Sequence, residues 1–243
     1  MGTYVIIVII IVIIIWAHSS SSNKPTYTPP PTRSQTPIPP IDYHQINRQR
    51  KATQRQTEIE RRRQLQRQAR CKSDWQEYQS ILTKNNINTL YHFTDKSNLK
   101  SIKRHGALYS WHYCLINNIK IPVPGGNQLS RDLDTAKEIQ NYVRASFTRS
   151  HPMMHVPQSR AQNCVILEIE PEVIYWNNSK YANKNAVRND VHIGSTLNDF
   201  RQIKFKIVKL RNHFGLNETD KPYYQGEILI LEKIPAEFIR NIR

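Results

Sequence analysis

Tyr224-Gln-Gly-Glu-Ile-Leu-Ile-Leu231 is the stretch on which the reading of this chain turns. From Gly226 to Leu231 the residues suit a buried strand, and Glu227 stands inside it. A carboxylate on an apolar strand is costly to bury without a partner. Two explanations compete for it: Glu227 points outward from an edge strand, or it is kept for chemistry. Gln225 lies two positions earlier, and residues two apart in a strand share a face.

Working outward, Leu90-Tyr-His-Phe-Thr94 and Cys164-Val-Ile-Leu-Glu-Ile-Glu170 alternate as strands do. Ile203–Leu210 alternates in the same way and is expected to be another strand. Asp95 or Ser97 caps a helix that runs to about His105, where Gly106 stops it. A short turn and strand from Ile234 close the chain. Residues 86–243 are therefore expected to form one mixed α+β domain.

Upstream the composition changes twice. Residues 45–85 hold a Gln- and Arg-rich stretch without Gly or Pro up to Arg70, expected as a basic helical stalk, with Glu58 paired to Arg62 one turn on. Such a helix either touches lipid headgroups or nucleic-acid phosphates, or is a solvated spacer. Trp75, Tyr78, Ile81 and Leu82 restore helical periodicity and are expected to pack on the domain. Residues 19–44 are rich in Ser and Pro and read as an extended linker. Residues 1–18 contain an unbroken apolar run from Tyr4 to Trp16, with aromatics at both ends and positive charge only beyond it. That pattern is expected of a membrane anchor with the rest of the chain in the cytoplasm. A cleaved signal is the alternative, although its n-region would lack Lys and Arg.

The net charge of +16 favours polyanionic partners. It is carried about equally by the two parts of the chain, so it is not only a tail effect. Three cysteines without a CxxC pair or a Cys/His cluster fit a reducing compartment and give no sign of a metal site. GxxxxGK[ST], GxGxxG and HExxH are all absent. Nucleotide binding has to rest on other residues.

Those residues come as segments in a set order: Tyr91-His-Phe-Thr-Asp-Lys-Ser-Asn-Leu99, Ile102-Lys-Arg-His-Gly-Ala-Leu108, Pro124-Gly-Gly-Asn-Gln-Leu-Ser-Arg-Asp-Leu-Asp134, Tyr142-Val-Arg-Ala-Ser-Phe147, His151-Pro-Met153, Leu167-Glu-Ile-Glu-Pro171, Tyr181-Ala-Asn-Lys-Asn-Ala186 and the Glu227 strand. The order resembles the DarT family, toxin ADP-ribosyltransferases that modify nucleic-acid bases using NAD. The resemblance spans residues 86–243. It implies an ADP-ribosyltransferase-like split β-sheet, NAD as co-substrate without a metal, single-stranded DNA or RNA as acceptor, a toxin or phage-defence role, and an antitoxin as partner.

The resemblance also assigns roles. Glu227 would stabilise the oxocarbenium-like ribose. Gln225, whose amide both donates and accepts, would read the acceptor with Tyr224 and Asn185. His92, Phe93 and Thr94 would line NAD, and Tyr142 and Phe147 are candidates for the ring under nicotinamide, with core packing as their rival role. Arg131 is the first choice for the catalytic arginine and Arg144 the second. Transfer to a protein side chain, or a non-catalytic membrane-tethered module that binds nucleic acid or lipid, are the alternative functions.

Overall fold

The computed structural model describes residues 43–155 and 163–242. The apolar run and the Ser/Pro-rich linker lie outside the described residues. Among those described, no helix is long and apolar enough to cross a membrane. The chain divides into two compact units, Met1–Arg50 and Lys51–Arg243. Of the first, only the opening turns of a helix are described.

That helix, α1 (Tyr43–Arg70), carries the expected stalk. Glu58 accepts from both Arg61 Nε and Arg62 Nε at 2.9 Å. Its last turn is fastened: Asn177 donates from its backbone to the Arg70 carbonyl and from Nδ2 to that of Ala69, satisfying carbonyls that a helix end leaves open. The Arg70 guanidinium lies 5.1 Å from the Trp176 ring and 5.0 Å from that of Phe238. α2 (Trp75–Lys84) buries Tyr78 and Leu82, one turn apart, as its periodicity requires. The Tyr78 ring sits 5.6 Å from Tyr181 and 5.2 Å from Phe200.

The strands are β1 (Leu90–Asp95), β2 (Ala107–Tyr109), β3 (Tyr142–Ser146), β4 (Cys164–Ile169), β5 (Ser179–Ala182), β6 (Ile193–Gly194), β7 (Glu227–Leu231) and β8 (Lys233–Pro235). Six form one sheet in the order β4-β1-β3-β7-β5-β6, and β2 pairs with β8. Every pairing is antiparallel. β3 and β7 pair from Tyr142↔Leu231 to Ser146↔Glu227, whereas β1 meets β3 at Tyr91↔Ser146. The fold is thus mixed, with an antiparallel sheet at its centre.

The helices fill the connections: α3 (Leu99–His105), α4 (Trp111–Ile116), α5 (Gln128–Ala136), α6 (Leu197–Arg201) and α7 (Phe205–Val208). Asp95 accepts from the Ser97 amide at 2.8 Å and caps the turn that opens into α3. Gly106, at φ +69°, ends it in the left-handed conformation that glycine adopts without steric cost.

Two expectations change. Ile203–Leu210 is not a strand but α7 and its flanking turns. As a strand it would have placed Val208 on the side of Lys204 and Lys206. As a helix it sets Phe205 and Val208 on one face; Val208 is fully buried, and Phe205 lies 5.2 Å from Phe200 and 6.0 Å from Phe147. The second is the approach to β7, which begins at Glu227 rather than Gly226. Lys221–Gln225 is a 3-10 turn, so Gln225 does not share a strand face with Glu227. Gly226 makes the join, because a Cβ there would press on Val208 Cγ1 at 3.3 Å and on the Tyr223 carbonyl oxygen at 3.4 Å.

Candidate active site

Glu227 opens β7 between two neighbouring strands, opposite Ser146 on β3 and Ala182 on β5. It is 5% exposed, which answers the edge-strand alternative: the carboxylate is inside. The Ala186 amide donates to its Oε1 at 2.6 Å, and Arg144 Nη1 lies 3.7 Å from the same oxygen. Burial raises the Glu227 carboxyl above its ordinary range, while the Arg144 charge and the Ala186 amide pull it back.

Arg144 sits on β3, two residues before Ser146 and on its face, so its long side chain reaches Glu227 diagonally across the strand pair. Its Nη2 donates to Asp134 Oδ1 on α5. Burial raises the Asp134 carboxyl as well, against the pull of Arg144. One guanidinium therefore serves two largely buried carboxylates. Arg131, the first choice from sequence, is one turn before Asp134 on α5 and lies over the Trp111 ring at 5.7 Å. The second choice is the arginine beside Glu227. Its signal in the sequence was a cation in the middle of an otherwise apolar strand.

The same residue holds His92. The Arg144 carbonyl lies 2.8 Å from His92 Nδ1, and a carbonyl only accepts, so the proton belongs on Nδ1. Burial keeps the imidazole neutral by pushing its pKa down, which leaves Nε2 as an acceptor. Beside it, Phe93 stacks on His151 at 5.7 Å. His151 is 6% exposed, and its pKa is pushed down to about 4 by burial and by the Arg144 charge. Thr94 Oγ1 accepts from Asn98 Nδ2 at 3.0 Å, and Asn98 also grips both backbone groups of Val123. The Pro124–Asn127 turn is in this way tied to β1 and leads into α5, where Asn127 caps Ser130.

The aromatic candidates separate. Tyr142 is half-buried, with Lys180 Nζ 5.0 Å above its ring. Phe147 is 6% exposed and is held in the core against Phe205. Tyr224 is fully buried, and its hydroxyl joins Thr148 Oγ1 at 2.6 Å and the Arg211 carbonyl at 3.2 Å. It fastens the loop ahead of β7 and offers no face to a base. Phe214 in the same loop, which the sequence reading passed over, is 81% exposed. Gln225 and Asn185 do meet: Asn185 Nδ2 donates to Gln225 Oε1 at 3.3 Å, and Asn185 Oδ1 accepts from the Val187 amide. Gln225 lines a cleft of about 270 Å³ with Arg188, His213 and Lys221 among its walls. Among the described residues there is no group of three or more His, Cys, Asp or Glu suited to a metal ion.

Residues 91–243 match the model of a family described as ssDNA thymidine ADP-ribosyltransferase, DarT. In fold the chain is similar to Thermosipho africanus DarTG in complex with ADP-ribose, with a TM-score of 0.51 at 14% identity over 63% of this chain and 42% of that one. It is also similar to Thermus sp. 2.9 DarT in complex with NAD+, with a TM-score of 0.48 at 18% identity over 63% and 80% of the two chains. For the same Thermus protein in complex with ADP-ribosylated ssDNA, the values are 0.47 and 17% over 63% and 79%. A comparison with curated proteins found no match.

Proposed function

This chain belongs to the DarT family of ssDNA thymidine ADP-ribosyltransferases, and from that premise we propose how its residues divide the work. It is an NAD-dependent enzyme that ADP-ribosylates DNA. NAD, when bound, supplies the ADP-ribosyl group and loses nicotinamide. Glu227 places a negative charge where positive charge develops on the ribose. Both of its contacts fall on Oε1, which leaves Oε2 for a ribose hydroxyl. Arg144 favours the charged form of this carboxylate against the cost of its burial and fixes its orientation.

His92 offers Nε2 to a hydroxyl or amide of NAD, Thr94 and Phe93 line the same strand, and Tyr142 supplies the ring on β3. Arg131 serves the pyrophosphate as a bidentate cation. The acceptor thymine is read by Gln225, whose oxygen is held by Asn185, which leaves its Nε2 amide to donate to one carbonyl oxygen of the base. Phe214 takes the stacking role expected of Tyr224. The observation that carries this reading is the buried Glu227 at a strand start, held by Arg144 and the Ala186 amide.

The test is mass spectrometry of single-stranded oligonucleotides that contain one thymine or none, after incubation with NAD. A mass increase of one ADP-ribose only on the thymine-containing strand is expected. Modification of both strands alike, or of neither, would overturn the acceptor assignment.

The remaining proposals concern context. Residues 1–18 anchor the chain in a membrane with its catalytic domain in the cytoplasm, supported by the apolar run and the positive charge that follows it. Recovery of the full chain in the soluble fraction would contradict this. The toxin role and its antitoxin follow from unrestrained modification of DNA. Growth arrest on expression of the wild type but not of Glu227→Gln is expected, and equal arrest by both would count against it.

A further inference from the structure

We propose that α1 is a second nucleic-acid surface, a basic stripe that gathers single-stranded DNA by its phosphates; this rests on DNA being the substrate. The family match begins at residue 91, so the helix lies outside the part of the chain that performs the chemistry. Tyr43–Arg70 carries nine Lys and Arg against two Glu. Lys51, Arg55 and Arg62 follow one another at i, i+4 and i+11, which is one face of a helix. Together with Glu58 they line one concavity in the structure. All three cations are exposed, and they span about 16 Å of helix axis.

The stripe is built against the helix's own stability. Lys51 and Arg55 are like charges one turn apart, a pairing that disfavours a helix. Glu58 answers Arg61 and Arg62, while Lys51 and Arg55 have no carboxylate partner among the described residues. A spacer helix would alternate its signs. A polyanion laid along the stripe removes the repulsion.

Lipid is the poorer fit. A helix that lies in a membrane surface needs an apolar face. At 100° per residue, Ile59 and Leu65 project about 120° from each other, and they are exposed singly, so the described residues form no such face. The end of the helix is fastened through Ala69, Arg70 and Asn177 just ahead of β5, the strand that pairs with the Glu227 strand. DNA held on a surface joined to the catalytic unit meets it at raised effective concentration.

The experiment compares the full chain with a combined Lys51→Gln, Arg55→Gln and Arg62→Gln variant. Glutamine keeps helix propensity. Fluorescence anisotropy measures binding of a long single strand, and of a short one holding only the acceptor and its nearest neighbours, across a salt series; anionic vesicles are titrated in parallel. The long strand is expected to lose about tenfold in affinity at low salt, with a salt slope shallower by up to about 2, and the short strand to bind unchanged. Unchanged affinity and slope for the long strand would overturn the proposal. So would an equal loss on both strands, or a loss confined to vesicles. Because the readout is binding, inactivity of both proteins would count against the enzymatic reading and leave this result standing.

Discussion

Arg144 and Glu227 stand on adjacent antiparallel strands, with Nη1 of one 3.7 Å from Oε1 of the other. The same guanidinium donates to Asp134. Arg144→Gln therefore leaves two largely buried carboxylates without a cation and is expected to lose about 3 kcal/mol of stability. Arg144→Lys restores the charge but not the fork, so it recovers most of the stability and little of the activity. Urea denaturation set beside turnover checks this, and a fully stable Arg144→Gln protein would contradict the pairing.

Glu227 is held at a cost to the fold. Its folded pKa lies above its unfolded value because burial outweighs its partners. Between the two values the native state binds more protons than the unfolded one, so this group's contribution to stability falls as pH rises. Glu227→Gln lacks that contribution. It is expected to match or exceed the wild type in melting temperature at neutral pH, with the advantage shrinking as pH is lowered into the carboxylate range, while activity is lost. A variant less stable at every pH would show that the carboxylate is a structural tie.

His151 acts in the opposite sense. Burial and the Arg144 charge push its folded pKa down to about 4, below the ordinary histidine value of about 6.5. The unfolded state then binds more protons across that window, so stability is complete above about pH 6.5 and declines toward pH 4, by up to about 3 kcal/mol for this group. His92 shifts in the same direction. Stability against pH for His151→Gln should show a flatter decline than the wild type, and an identical decline would remove His151 as its source.

Phe214 and Tyr224 share a loop and have opposite duties. Phe214→Ala takes away an exposed ring, and the expected result is unchanged melting with a KM for single-stranded DNA raised by roughly tenfold, from a base-stacking contribution of about 1–3 kcal/mol. Tyr224→Phe removes a buried hydroxyl with several partners and is expected to destabilise by about 1 kcal/mol. Circular dichroism melts and steady-state kinetics on both variants separate the two roles. A KM effect confined to Tyr224→Phe would reverse the assignment.

The elements that were legible from sequence are those whose local pattern and tertiary setting agree. β1, β4, α2 and the Asp95–Gly106 capped helix fall where alternation, periodicity and caps put them; α2 buries Tyr78 and Leu82 one turn apart, and β4 buries Leu167 and Ile169 on one face. Ile203–Leu210 failed because an alternating run also satisfies a short helix when Phe205 and Val208 are the residues the core accepts. The shared face of Gln225 and Glu227 failed because Lys221–Gln225 is a 3-10 turn and the strand begins only at Glu227. Arg144 was outranked by Arg131 because chain order says nothing about which arginine faces a given strand. The pairing of β3 with β7 decides that, and such pairings are long-range. Tyr224 and Phe214 differ only in burial, which no local signal in that loop encodes.

Whether Glu227 drives the reaction is decided by transfer of labelled ADP-ribose from NAD to single-stranded DNA by the wild type and by Glu227→Gln, both shown to be folded. Label in the DNA with the wild type and a fall of about a hundredfold or more with the variant are expected. Equal labelling by both proteins, or label from the wild type in protein alone, would contradict it.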